Sequence, residues 1–196
     1  MMQICIMPHQ LISFLQTFRH IPAADHELIT AAFEQKRFDE GDYLFKGGQV
    51  CRQLFFITDG VLRIMVRNEK GNEVTHYFLK ENYFCTILNS FTNQVPAHES
   101  IQAACKVTVL VTSHAKLFAL YEQLPYLKEL IDDITHKALL EKIQIRNNYL
   151  GQDSTARYKL FMEKQADVAL RVPLNDIASY LGITPQSLSR IRKNIR

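Results

Sequence analysis

Five polar side chains near the C-terminus, Gln186, Ser187, Ser189, Arg190 and Lys193, are the groups of this 196-residue chain best suited to directional hydrogen bonding. Arg can bond two acceptors of guanine, Gln can pair with adenine, and Ser reaches bases or phosphates. Read with a helical period, they occupy the outer side of a helix whose inner side carries Leu188 and Ile191. From Thr184 to Arg196 there are four cations (Arg190, Arg192, Lys193, Arg196) and no acid. The combination points to double-stranded DNA, with the helix lying in a major groove.

Such a helix needs support. Thr184-Pro185 is a start signal, Thr184 as N-cap and Pro185 at the first helical position. Gly182 suits the turn before it, because glycine adopts positive φ without a Cβ penalty. Ile177 and Leu181 are four apart and share one face of a preceding helix. Ala178 is the small residue that lets two helices cross closely. The stretch 174–193 thus reads as a helix-turn-helix. A plain helical hairpin closing the domain is the competing reading. Seven positions agreeing at fixed spacing (Ile177, Ala178, Leu181, Gly182, Ile183, Leu188, Ile191) weigh against it.

Hydrophobic residues make up 47% of the chain, enough for a buried core, and the length suits one large domain or two small ones. Net charge is only +3, but residues 151–196 hold eight Lys/Arg against four Asp/Glu, while the remainder holds fifteen against sixteen. A neutral body with a basic end fits a small nucleic-acid module on a larger domain. No run is long and apolar enough to span a membrane, so no membrane partner is expected. MMQICIMPHQ lacks both the basic leader and the apolar run of a secretory signal, so a cytoplasmic location is expected. Cys5, Cys51, Cys85 and Cys105 form no CxxC pair, and reduced, semi-buried thiols are expected.

Residues 8–36 read as two helices broken at Pro22. Leu11, Leu15 and Phe18 share a face of the first. Leu28, Ala31, Ala32 and Gln35 follow a helical period in the second, with Asp25 placed to cap it. From Arg37 the pattern changes to short runs, YLFK, QLFFIT, VLRIMV and THYFL, separated by Gly-containing turns, and SIQAA and KVTVLVT resume it up to about Thr112. Many short strands with regular turns imply an antiparallel barrel or sandwich. Helix returns near Ala115, and Pro125 opens a long helix to about Leu150. One apolar line on it is Leu127, Ile131, Ile134, Ala138 and Ile145, and another is Leu130, Leu139, Leu140, Ile143 and Leu150. One can pack on the barrel and the other can meet a copy of itself. The first is taken as the dimer interface, because DNA readers of this kind pair half-sites through a two-fold axis. Gly151-Gln152-Asp153-Ser154 then reads as a hinge and helix cap.

DIASYLGITPQSLSRIRK resembles the recognition segment of the Crp–Fnr family of bacterial transcription regulators, and the likeness extends over about residues 27–196. The resemblance implies an α+β fold. Its parts are an antiparallel β-barrel (a jelly roll of the cyclic-nucleotide-binding type) with flanking helices, a dimerisation helix, and a small all-α helix-turn-helix domain. The expected boundaries are 1–124, 125–150 and 151–196, with no β-wing after the last helix. It also implies that Pro185, Gln186, Ser189 and Arg190 face bases. Gln186 stands where many relatives carry Glu, so a different half-site is expected. A homodimer on DNA follows, with RNA polymerase and an unidentified small-molecule effector as further candidate partners.

In the resembled domain a Gly-Glu pair and a later Arg clamp the cyclic nucleotide. The matching segment here, NYFCTILNSFTNQVPAHESIQA, puts Cys85-Thr86 in place of Gly-Glu and His98-Glu99-Ser100 where the Arg would be. No Arg occurs between Arg67 and Arg146. A cyclic phosphate buried without a cation carries a heavy desolvation cost, so no cyclic-AMP binding is expected. The degenerate pocket, Phe84, Cys85, Thr86, His98, Glu99 and Ser100, is left with three readings. It takes another ligand, it is filled by Phe84, Leu88 and Phe91, or Cys85 senses oxidants. The absence of a compact N-terminal Cys cluster speaks against iron–sulfur sensing.

A different class of function is a cupin-like metal-binding or small-ligand-binding barrel whose C-terminal helices are structural. The seven histidines include no HxH and no HExxH, although His76 and His98 fall in the barrel and are candidates to face inward. No nucleophile elbow or phosphate loop is present. Neither enzyme activity, nor metal, nor cofactor is expected.

Overall fold

The computed structural model describes residues 7–195. Cys5 and Arg196 lie outside the described residues. Two four-stranded antiparallel sheets pack face to face. One runs β1 (Glu34–Phe38), β8 (Val107–Ser113), β3 (Gln53–Asp59), β6 (Phe84–Cys85), and the other β2 (Tyr43–Phe45), β7 (Ser100–Ala103), β4 (Leu62–Arg67), β5 (Glu73–Leu79). This order, in which distant strands become neighbours, is a jelly roll. The fold is α+β, as expected.

Alternation along the strands decides which side chains fill the roll. Phe55 and Ile57 of β3, Val107, Val109 and Val111 of β8, and Cys85 of β6 point inward. They meet Leu62, Ile64, Leu79, Ile101 and Ala103 of the facing sheet. The alternate residues Leu54, Phe56, Phe84 and Leu110 point outward, into a helical layer. That layer is α1 (Met7–Gln16), α4 (His114–Gln123) and the long α5 (Pro125–Tyr149). The first sheet is therefore apolar on both faces, which explains the unbroken run QLFFIT.

Two helical expectations need correction at the N-terminal side. The second helix, α2 (His26–Ala31), stops four residues before Gln35, which lies in β1. The sequence EQKRF suits an edge strand, polar along its length and paired only to β8, from Glu34 opposite Val111 to Phe38 opposite Val107. Asp25 precedes α2 but makes no capping bond with its side chain. Its carboxylate accepts instead from the Tyr126 hydroxyl at 2.7 Å, tying α2 to α5.

The long helix also reverses an expectation. Leu127, Ile131 and Ile134 are buried in the chain's own core with Leu11, Leu15, Leu117 and Leu120. Ala138 and Ile145, further along the same line, are half-buried. The apolar side chains that α5 leaves in solvent are on the opposite face, Leu139, Leu140 and Ile143; Leu130 of that line is buried, and Leu150, at 69% exposure, follows the helix in extended backbone. Both lines satisfy the helical period, and the surfaces of α1 and α4 decide which one turns inward.

After α5 the chain passes Gly151 at φ +75° and enters α6 (Ser154–Lys164), capped by the Asp153 carboxylate, which accepts from the amides of Thr155 and Ala156 at 2.8 Å. The short α7 (Ala166–Ala169), then α8 (Leu174–Leu181) and α9 (Pro185–Ile195) complete the C-terminal part. Its core (Phe161, Val168, Ile177, Ala178, Leu181, Leu188) is continuous with Val61, Phe78 and Ala104 of the roll.

Candidate nucleic-acid interface

α8 and α9 are joined by a three-residue turn. Gly182 sits at φ +67°, the left-handed conformation that ends α8, and the Ile183 amide reaches back to the Ala178 carbonyl at 3.0 Å. The Thr184 hydroxyl accepts from the Ser187 amide at 3.1 Å, capping α9 with Pro185 at its first position. Ala178 and Leu188 are fully buried where the helices meet, and Ile183 and Ile191 pack around them.

Burial of Leu188 fixes the rotation of α9. Thr184, Pro185, Gln186, Ser189, Arg190 and Lys193 are exposed, and Ser187 is half-buried. Ser187 is less free than the others, because its hydroxyl accepts from Thr184 at 2.9 Å. Among the described residues Arg190, Arg192 and Lys193 form no ion pair, and the outer face of α9 presents cations and amide donors with no described carboxylate against them.

The opposite side of the helix pair rests on the roll. Arg63, near the start of β4, projects from the outer face of its sheet and is only 6% exposed. Its guanidinium binds Gln102 at 2.8 Å, Glu73 at 2.5 Å and, across to α8, Asp176 at 2.6 Å. The Thr75 amide donates to the Ser179 hydroxyl at 2.9 Å, which itself donates to the Glu73 carbonyl at 2.9 Å. Burial pushes the Asp176 carboxyl above its ordinary value, against the pull of Arg63, with Glu73 and Glu40 adding to the rise. Two more ion pairs, Arg171 with Glu81 at 2.5 Å and Lys80 with Asp167 at 2.6 Å, flank the joint. Arg63 was not singled out in the sequence. Its one signal there is a lone cation inside the apolar run VLRIMV.

The degenerate cassette residues do not converge on one pocket. Phe84 and Cys85 point to opposite faces of the sheet. Phe84 and Phe91 join the core beneath the helices and Leu88 of α3 (Leu88–Asn93) is exposed, so these three do not fill the roll. Their order along β6 and α3 turns them toward α1 rather than inward. His98 is exposed and Glu99 half-exposed. The Ser100 hydroxyl accepts from the Gly47 amide at 3.0 Å. A Cβ on Gly47 would lie 2.6 Å from the His98 carbonyl oxygen, so segment 98–100 is pressed onto that glycine turn. The Thr86 hydroxyl donates to the Gln53 carbonyl at 2.9 Å. Cys85 lies among apolar side chains, and burial raises its thiol to about 12, which makes it a small hydrophobe rather than a reactive thiolate. His76 is exposed, as His98 is, so neither of these candidates faces inward as a metal ligand.

Residues 35–124 match the family profile of the cyclic nucleotide-binding domain. No curated protein matches the sequence. Among solved structures, the chain is similar to the c-di-GMP-responsive global regulator CLP of Xanthomonas campestris, at 15% identity and a TM-score of 0.69 over 89% of this chain and 91% of that one. It is also similar to the catabolite activator protein of Thermus thermophilus, at 17% identity and a TM-score of 0.56 over 93% and 86% of the two chains. A third is a protein from Eubacterium rectale described as a transcriptional regulator of the Crp/Fnr family, at 15% identity and a TM-score of 0.65 over 93% and 87%. Residues 35–124 thus resemble a cyclic nucleotide-binding domain, and the chain as a whole has the fold of these solved regulators.

Proposed function

We propose that this chain is a cytoplasmic transcription regulator that binds specific DNA sequences as a homodimer, with α8–α9 as its helix-turn-helix. One observation carries the reading: α9 exposes Gln186, Ser189, Arg190 and Lys193 on an acid-free face, with Leu188 and Ala178 locking the helix from behind. Pro185 opens that face and Thr184 caps it. In a major groove, Arg190 reads guanine, Gln186 reads adenine, and Lys193 with Ser187 holds backbone phosphates.

The dimer forms through the outward face of α5. On that face His136, Leu140, Ile143 and Asn147 follow one another in steps of four, three and four, the spacing of a two-stranded coiled coil. A polar Asn in such a seam fixes register and strand number. This replaces the line Leu127–Ile145, whose first members are engaged in the chain's own core. The two copies then hold their α9 helices about one DNA turn, roughly 34 Å, apart. The effector is not cyclic AMP, because no cation stands at the cassette position.

Selection of bound duplexes from a random pool tests the reading. A palindromic consensus with half-sites about 10 bp apart is expected, and Arg190→Ala should lose about 1–3 kcal/mol of specific affinity at one position of each half-site. Recovery of no consensus, or an unchanged binding curve for Arg190→Ala, refutes it.

A further inference from the structure

A cavity of about 300 Å³ lies where three parts of the chain meet: β5 of the roll, the C-terminal end of α5, and α6 with α8. Its charged walls are of one sign. Lys142 and Arg146, one helical turn apart on α5, and Arg157 of α6 line it, and among the described residues no Asp or Glu does. Among the described residues Lys142 forms no ion pair; its ammonium lies 5.4 Å from the centre of the Tyr77 ring. Burial lowers its pKa, a sign of a cation held without a counter-charge. Arg157 spends one nitrogen on the Leu181 carbonyl at 2.5 Å, yet its Nε is buried with no hydrogen-bond partner. A buried unsatisfied guanidinium nitrogen is costly, and an anion in the cavity would satisfy it. The backbone is also remodelled here. Ile64 pairs with Tyr77 and the next residue, Met65, pairs with Thr75, so His76 is bulged out of β5 at the mouth of the cavity. Tyr77 and Tyr180 supply aromatic walls.

We propose that this cavity binds a small aromatic phosphate monoester, its phosphoryl group on Lys142, Arg146 and Arg157 and its ring between the tyrosines. The volume sits at the lower end of small-molecule sites, which suits one ring and one phosphoryl group. The site is separate from the degenerate cassette in the roll, whose residues do not line it. Its walls include the end of α5 and the residues Ser179 and Gly182 beside the α8–α9 turn, so occupancy couples to how α9 is held. That consequence rests on the DNA-binding reading; binding itself does not.

The test is isothermal titration of the full-length protein, without DNA, using phenyl phosphate, with inorganic phosphate and phenol as comparison arms. One site per chain is expected for phenyl phosphate, with each comparison compound weaker. Arg146→Gln and Lys142→Met should each weaken binding by about tenfold, the loss of one charge-assisted contact. Lys159→Gln, an exposed charge change on α6 outside the cavity, should leave it within about twofold. Arg146 is exposed, so its variant decides the matter even if Lys142→Met folds poorly. No binding of phenyl phosphate, or equal binding by wild type and Arg146→Gln, overturns the proposal. A separate operator titration with and without the ligand then reports on DNA reading alone.

Discussion

Replacing Arg63 with Met removes the buried guanidinium that ties α8 to the roll while keeping a side chain of similar length. In the native protein it makes contacts to Gln102, Glu73, Thr75 and Asp176. Glu73 is one-third exposed and can recover water, but the Asp176 side chain is 15% exposed and is left as a buried carboxylate without its cation. Breaking a buried pair from one side costs about 3–5 kcal/mol. Asp176 softens this by taking up a proton, because its pKa is already raised, so about 3 kcal/mol is the expected loss. For a chain of this size that lowers Tm by about 6–12 °C. The assay is urea unfolding of wild type, Arg63→Met, Asp176→Leu and the double variant. Truncating both partners should recover more than half of the Arg63→Met loss, giving a coupling of about 1–3 kcal/mol. Glu73→Gln is the control for the solvent-facing arm. If Arg63→Met costs under about 1 kcal/mol and couples to Asp176 by nothing measurable, the joint between roll and helix pair is not made as described.

Lys193→Ala should weaken binding to all DNA sequences alike and reduce the steepness of the salt dependence by about one ion, read from binding at several salt concentrations. Ile143→Asp, on the exposed face of α5, should shift the protein to monomer in sedimentation equilibrium with its circular dichroism unchanged, whereas a dimer that survives refutes the α5 seam. Calorimetry with cyclic AMP should show no saturable heat, and micromolar binding would overturn the account of the cassette. For Glu81, burial raises the carboxyl, but the bonds from Arg171 and the Gly60 amide outweigh it and the folded pKa is lowered. Its contribution is therefore full above about pH 4.5, the ordinary value, and is lost as pH falls through the folded value. Glu81→Gln should be less stable than wild type at neutral pH, with the difference vanishing in acid; a constant difference across pH would contradict the pairing.

The turn between α8 and α9 was legible in the sequence because its requirements are local. Gly182 for a positive φ and Thr184-Pro185 for a helix start act through neighbouring backbone, and no distant contact can change them. The strands of the roll were legible for the same reason, through alternation and glycine turns. What could not be read was orientation. The two apolar lines of α5 obey one period, and only the presence of Leu11, Leu15, Leu117 and Leu120 opposite Leu127 and Ile131 selects the inner one. Phe84 and Cys85 are adjacent, so a single-residue register decides which enters the roll and which faces α1. β1 was missed because an edge strand needs no apolar alternation, and its polar residues prolonged a helical pattern past Ala31. Arg63 was missed because its three carboxylate and amide partners lie 10, 39 and 113 positions away.

The two-faced apolar sheet has a consequence for synthesis. During translation, the run Gln53–Asp59 leaves the ribosome well before its main partner, β8, which is paired to it across about fifty residues, and before α4 and α5, which roof its outer face. In that interval it is an aromatic, β-prone segment whose first six residues carry no charge, with nothing on either side, the kind that stacks with copies of itself. The chain must be held off until α5 has emerged. A fragment ending before Pro125 should accumulate in inclusion bodies, although it contains every strand of the roll.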